Sequence, residues 1–130
     1  MKFGYTIIYV ADVQATIQFY EEAFGFTTRF IHGEGDYAEL ETGETTLAFA
    51  SLELAQSNFP SGYTKLTDLD HPPGIEIALV THNIEQTVVK ATKAGAMMIL
   101  EPTVKPWGQT VAFLRAPDGS VIELCTPMNG

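Results

Sequence analysis

The sequence has little cysteine, little positive charge and no long apolar run, and each shortage removes a class of function. Cys125 is the one cysteine in 130 residues, so neither an intrachain disulfide nor a thiolate metal cluster can form. At the end of an apolar strand-like segment it reads as a small core residue. Seven basic residues stand against sixteen acidic ones, a formal charge of −9. Such a surface repels phosphate backbones and anionic bilayers, so nucleic acid and membranes are not expected partners. The acidity suits solubility, and also attraction for a cationic ligand. No apolar stretch is long enough to span a bilayer. Met1-Lys2-Phe3-Gly4 runs straight into a strand-like segment without a signal-peptide pattern, so a cytoplasmic location is expected. The three histidines offer no obvious ligand set: His32 and His71 fall in turn or linker sequence, and His82 lies just before a helix cap.

What remains is a globular balance, 45% hydrophobic and 18% charged, suited to one domain or to two half-size units sharing a core. The informative feature is internal repetition. Tyr5 to Gly25 reads YTIIYVADVQATIQFYEEAFG, and Glu76 to Gly95 reads EIALVTHNIEQTVVKATKAG. In alignment Tyr5 falls on Glu76, Asp12 on Asn83, Val13 on Ile84 and Ile17 on Val88. Both copies begin as an apolar β-type run and then change to helical spacing, through Val13, Ile17, Tyr20 and Phe24 in one and Ile84, Val88 and Ala91 in the other. Asp12 and Asn83 stand where a side chain can accept the free amides of a first helical turn, and Asn83 with Gln86 suggests a capping box. Gly25 and Gly95 stand where a left-handed residue ends a helix.

Three strand candidates follow each helix: Thr27–Ile31, Asp36–Glu41 and Thr45–Ser51, then Met97–Thr103, Gln109–Ala116 and Val121–Thr126. A Pro-Asp-Gly-Ser turn at Pro117–Ser120 joins the last two. The expectation is one α+β domain over residues 1–130. It has a βαβββ module at 4–51, a linker at 52–74 with room for one short helical turn, and a second βαβββ module at 75–127. One curved four-stranded sheet cannot bury itself, so paired modules should form cupped mixed sheets around a cavity.

The strings that carry the repeat resemble the vicinal-oxygen-chelate (glyoxalase/bleomycin-resistance/dioxygenase-like) superfamily over nearly the whole chain. The match comprises YVADVQATIQFYEEAFGF, Tyr9 to Phe26, and PWGQTVAFLRAPDGSVIEL, Pro106 to Leu124, with Ala116 where the family's closing motif has Asp. Metal-dependent members place a ligand on the first and last strand of each module. The resemblance puts those four places at Tyr5, Ala48, Glu76 and Glu123. A phenol and a methyl replace two ligands, so the family metal site is expected to be degenerate, with no cofactor required and two carboxylates left that could hold a divalent ion only weakly. Glu76 and Glu123 either face water on alternating strands or, in the family register, enter the cavity, where each raises the other's proton affinity and one can act as base or acid. Tyr5 is either a hydrogen-bond donor there or a core tyrosine. Trp107, held between Pro106 and Gly108, is a candidate for stacking on a ligand or for capping a core. Gln109 could add an amide contact. Arg115 could pair with an acidic ligand group or with Asp118 in the turn.

The resemblance implies a small-molecule-binding protein, of the kind that sequesters or transforms a metabolite or drug, and a homodimer. It equally allows a glyoxalase I-like lyase or isomerase with a glutamate base. The extradiol dioxygenase branch needs a 2-His-1-carboxylate iron site that these positions do not supply.

Overall fold

The computed structural model describes residues 1–128. The chain divides into two compact units, the first ending at Lys65 and the second starting at Leu66. Unit one runs β1 (Tyr5–Val10), α1 (Val13–Phe24), β2 (Thr27–His32), β3 (Tyr37–Glu41), β4 (Thr46–Ser51) and a short helix α2 (Leu52–Asn58). Unit two opens with a 3-10 turn at Leu66–Asp68, then β5 (Glu76–Val80), α3 (Ile84–Ala94), β6 (Met97–Val104), β7 (Thr110–Arg115) and β8 (Val121–Cys125). Each unit is a βαβββ module with a four-stranded mixed sheet, in the orders β1-β4-β3-β2 and β5-β8-β7-β6. In each, the outer first strand lies parallel to the last one, and the remaining pairs are antiparallel.

The caps set both helices. Asp12 accepts from the Ala15 amide at 3.0 Å and Asn83 from the Gln86 amide at 3.0 Å, each satisfying a donor that the first turn leaves open. The reciprocal half of the capping box is taken by another residue: the Asn83 amide donates to Thr81 Oγ1 at 3.2 Å. Gly25 ends α1 in the left-handed region at φ 75°.

α1 buries Val13, Ile17, Phe19, Tyr20 and Ala23 against the sheet side that carries Phe49, with the Tyr20 and Phe49 rings 4.9 Å apart. Leu40 and Phe49 are fully buried there, and each side chain removed from water contributes roughly 1.5–3 kcal/mol. In unit two, α3 places Ile84 and Ala91 inward, and Leu114, Ile122 and Leu124 are fully buried. The opposite face of each sheet is the one that can carry chemistry.

The segment expected to be a linker holds more structure than one turn. Ser51 caps α2 by accepting the Leu54 amide at 3.2 Å. The 3-10 turn at Leu66–Asp68 is tied to the last hairpin. His32, expected in a turn, closes β2 and approaches Asp36 at 3.1 Å. Among the described residues, no helix is long and apolar enough to cross a membrane.

Candidate functional site

Strand register settles which way the two glutamates point relative to each other. In unit two, Glu76 pairs with Val121 and Ala78 with Glu123. Glu76 and Glu123 therefore sit on one sheet face, two residues out of step on adjacent parallel strands. Their carboxyls interact. A hydrogen bond from Glu123, then partial desolvation and the charge of Glu123, raise Glu76 above the ordinary glutamate value. Two close carboxylates cannot both ionise freely, so Glu76 holds its proton more tightly than it would alone. Cys125 lies two residues further along β8. Its thiol is pushed up by burial first and by Glu123 second, which keeps it protonated and unreactive.

Unit one has the same register, since Tyr5 pairs with Thr46 and Ile7 with Ala48. Thr46-Leu47-Ala48 is thus the structural counterpart of Val121-Ile122-Glu123. Tyr5 is 57% exposed, whereas Ala48 is fully buried. Of the four places implied for ligands, then, Glu76 and Glu123 are brought together, and Ala48 places a methyl where a donor would be needed.

Sequence reasoning missed a polar network on this face. Directly across from Ala48, on β3, stands Glu39, itself almost fully buried. Tyr37 donates to Glu39 Oε2 at 2.8 Å, and Arg29 Nη1 donates to Glu39 Oε1 at 3.3 Å and to Thr46 Oγ1 at 3.1 Å. Arg29 also grips Glu41 in a two-pronged bond, through Nε at 2.9 Å and Nη2 at 2.8 Å. A register shift between Thr28 and Phe30 makes this possible: the extra residue in the bulge is Arg29, and a bulge re-aims a side chain. Burial and the Glu39 contact push the Tyr37 phenol up, and Arg29 holds Glu41 below its ordinary value. The network leaves Glu39 with little capacity to act as a substitute ligand beside Ala48.

These donors do not fit a four-ligand divalent site. Unit one supplies a phenol, a methyl and a carboxylate engaged by arginine, and unit two a pair of interacting carboxylates. No group of three or more His, Cys, Asp or Glu among the described residues is placed to hold a metal ion.

The remaining candidates lie in unit two. Trp107 is 62% exposed in the β6–β7 turn, and its indole N–H donates to Gln109 Oε1 at 2.8 Å. Gln109 Nε2 donates in turn to the Thr126 carbonyl at 2.8 Å. Gln109 spends both ends of its amide within the protein and holds the indole in place. Arg115 donates to the carbonyls of Gly119 at 3.2 Å, Leu66 at 2.8 Å and Leu69 at 3.0 Å. It fastens the 3-10 turn to the hairpin at Asp118 and Gly119.

A twice-used βαβββ module, each with a four-stranded mixed sheet, defines a class of small α+β proteins. The chain belongs to the Glyoxalase/Bleomycin resistance protein/Dioxygenase superfamily, whose family model matches residues 2–124. It is similar to a putative lactoylglutathione lyase of Brassica oleracea var. gemmifera, 28% identical over 130 residues. That alignment takes in 95% of this chain and 43% of the plant protein, so the chain spans less than half the length of this relative. It is also similar to the uncharacterized protein YwbC of Bacillus subtilis (strain 168), 32% identical, with 94% of each chain covered. Among solved structures, a glyoxalase-related enzyme from Fulvimarina pelagi superposes with a TM-score of 0.79 at 17% identity, covering 95% of this chain and 86% of that one.

Proposed function

We propose that the protein binds a small metabolite or drug, sequestering or transforming it, with a degenerate metal site and no required cofactor. The donor set carries this reading: Ala48 stands buried in the last-strand place of unit one, while Arg29 and Tyr37 occupy the neighbouring Glu39. Trp107 would stack on the ligand, held by Gln109, and Tyr5 would offer a hydrogen-bond donor. The working form is a homodimer in the cytoplasm.

Elemental analysis of protein never exposed to chelator, followed by calorimetric titration with Mn²⁺, Ni²⁺, Zn²⁺ and Mg²⁺, tests this. The expected result is substoichiometric metal and no saturable heat at millimolar ion. Tight, stoichiometric metal that is lost on Glu76→Ala or Glu123→Ala would overturn it.

A second reading is favoured by the raised proton affinity of Glu76 beside Glu123 and by the plant relative's name: a lyase or isomerase of the glyoxalase I kind, with Glu123 or Glu76 as the base. A carboxylate with raised proton affinity is a better base toward carbon acids than an ordinary one. On that reading Glu123→Gln abolishes turnover of a hemithioacetal and leaves ligand affinity nearly intact. Unchanged turnover would remove Glu123 from the mechanism.

A further inference from the structure

The two sheet faces treat their carboxylates differently, and the repeat makes the contrast a controlled one. Both second strands carry a bulge at the same place, between Thr28 and Phe30 in β2 and between Met98 and Leu100 in β6. In unit one the bulged residue is Arg29, which ion-pairs with Glu39 and Glu41. In unit two it is Ile99. No ion pair among the described residues reaches Glu76 or Glu123. The second face thus keeps its acidic pair without the ion pairs that Arg29 makes on the first.

Beside that pair lies an open hollow of about 270 Å³ across all four strands of the sheet. Pro72, Pro73, Ile75, Ile99, Phe113 and Val121 wall it, and Glu76 is the one charged residue in its lining. Ile75 and Ile99 present their side chains to solvent there, 70% and 43% exposed. Apolar walls meeting one acid that no ion pair engages are complementary to a hydrocarbon that carries a positive charge.

We propose that this hollow binds a small hydrophobic ammonium ion, whose hydrocarbon lies on Ile75, Ile99 and Phe113 while its N–H groups donate to Glu76 and its partner Glu123. The assignment rests on the small-molecule-binding reading above and adds the ligand's charge and shape to it. The bound cation takes the place that Arg29 holds in unit one. The titratable groups around Glu76 are Glu123 and Cys125 from β8. Arg115 on β7 is in register with Val121, with its guanidinium committed to three carbonyls. β6 contributes the uncharged Ile99 and Leu100, and His71 precedes the Pro72 wall.

The test compares phenethylammonium, phenethyl alcohol and phenylacetate by titration calorimetry, with methyl shifts of Ile75, Ile99 and Val121 locating the site. The ammonium should bind at least tenfold more tightly than the alcohol, and phenylacetate should be weakest. Glu76→Gln should lose the preference, and its circular dichroism and methyl spectrum should report an intact fold. Ile99→Arg, which supplies an internal cation, should also abolish ammonium binding. Equal affinity for alcohol and ammonium would overturn the cationic ligand and leave the small-molecule reading standing. An ammonium preference that survives Glu76→Gln, or no shift at these methyls with any probe, would overturn the site itself. Tight metal at Glu76 and Glu123 would instead remove the function proposed above.

Discussion

Glu76 and Glu41 are both glutamates on sheet faces, yet their neighbours push them in opposite directions, and that opposition can be read as stability. Glu76 binds its proton more tightly folded than unfolded, because of the hydrogen bond and charge of Glu123 and partial burial. By linkage, its contribution is fully present below the ordinary glutamate value and is lost as pH rises through the raised one. Glu41 is held down by Arg29, so its contribution is present above the ordinary value and is lost as pH falls through the lowered one. Glu76→Gln, whose amide can still donate to Glu123, should therefore be more stable than the parent near neutral pH, and the gain should shrink as pH approaches 4. Glu41→Gln should be less stable than the parent at neutral pH, with that deficit shrinking in acid. Urea titrations between pH 4 and 8 would reveal the two trends, and parallel curves for both variants would refute the pairing of either group. Trp107 belongs to the same scale. If its exposed ring meets ligand, Trp107→Ala weakens binding by at least about 1 kcal/mol. Gln109→Leu should broaden the indole's motion, measured as lower fluorescence anisotropy, because the bond that fixes the ring is gone.

Among the elements, those set by local chemistry or by the repeat were legible in the sequence, and the bulge set by cross-strand pairing was not. Asp12, Asn83, Gly25 and Gly95 marked the helix ends because a cap depends on one side chain and the few amides beside it. Asp12→Ala should cost about 1 kcal/mol, measurable by chemical denaturation. The alignment of Ala48 with Glu123 was also readable, since a strand of period 2 carries its register along with it. The Arg29 bulge was not. Nothing in Thr27-Thr28-Arg29-Phe30 states that one residue is extra, because that depends on which residues of β3 lie opposite. A signal for the network existed in the alternation Tyr37, Glu39, Glu41, three polar residues on one face of a strand beside an arginine-bearing one. α2 was hidden by the Pro, Gly and Ser of the segment that follows it, although Ser51 before Leu52-Glu53-Leu54-Ala55 is an ordinary helix start. The last hairpin depends on long-range packing of the same hidden kind. Gly119 has φ 94°, and a Cβ there would lie 2.7 Å from the Leu66 carbonyl carbon. Gly119→Ala should lose roughly 1–3 kcal/mol from backbone strain alone, and more from the collision, as a lowered thermal midpoint. Substitution of Arg115, which holds the same 3-10 turn from the other side, should destabilise in the same way.

For the molecule as a whole, charge and apolar surface pull association in opposite directions. Each copy carries a formal charge of −9, which repels a second copy and attracts a cation. Yet Met97, Ile99, Leu100 and Val104 of β6 are exposed, as are Ile75 and Val80 beside and in β5, and both strands are sheet edges. An eight-residue edge strand of this kind invites pairing. Pro102 within β6 has no amide to donate, and this interrupts any continuous ladder a second chain could build along it. Copies should therefore associate through side-chain faces rather than by extending the sheet. Screening shortens the reach of like-charge repulsion to about 8 Å at 0.15 M salt, so added salt should strengthen the proposed homodimer. The same screening should weaken an ammonium ligand drawn by Glu76 and the surrounding acidity. Sedimentation velocity across a salt series should show a rising dimer fraction while calorimetry shows falling ammonium affinity, and Val104→Glu should shift the equilibrium toward monomer. A chain that stays monomeric at every salt concentration would remove the homodimer from the proposed function. It would leave the hollow beside Glu76 untouched, because every residue that lines it comes from unit two of a single chain.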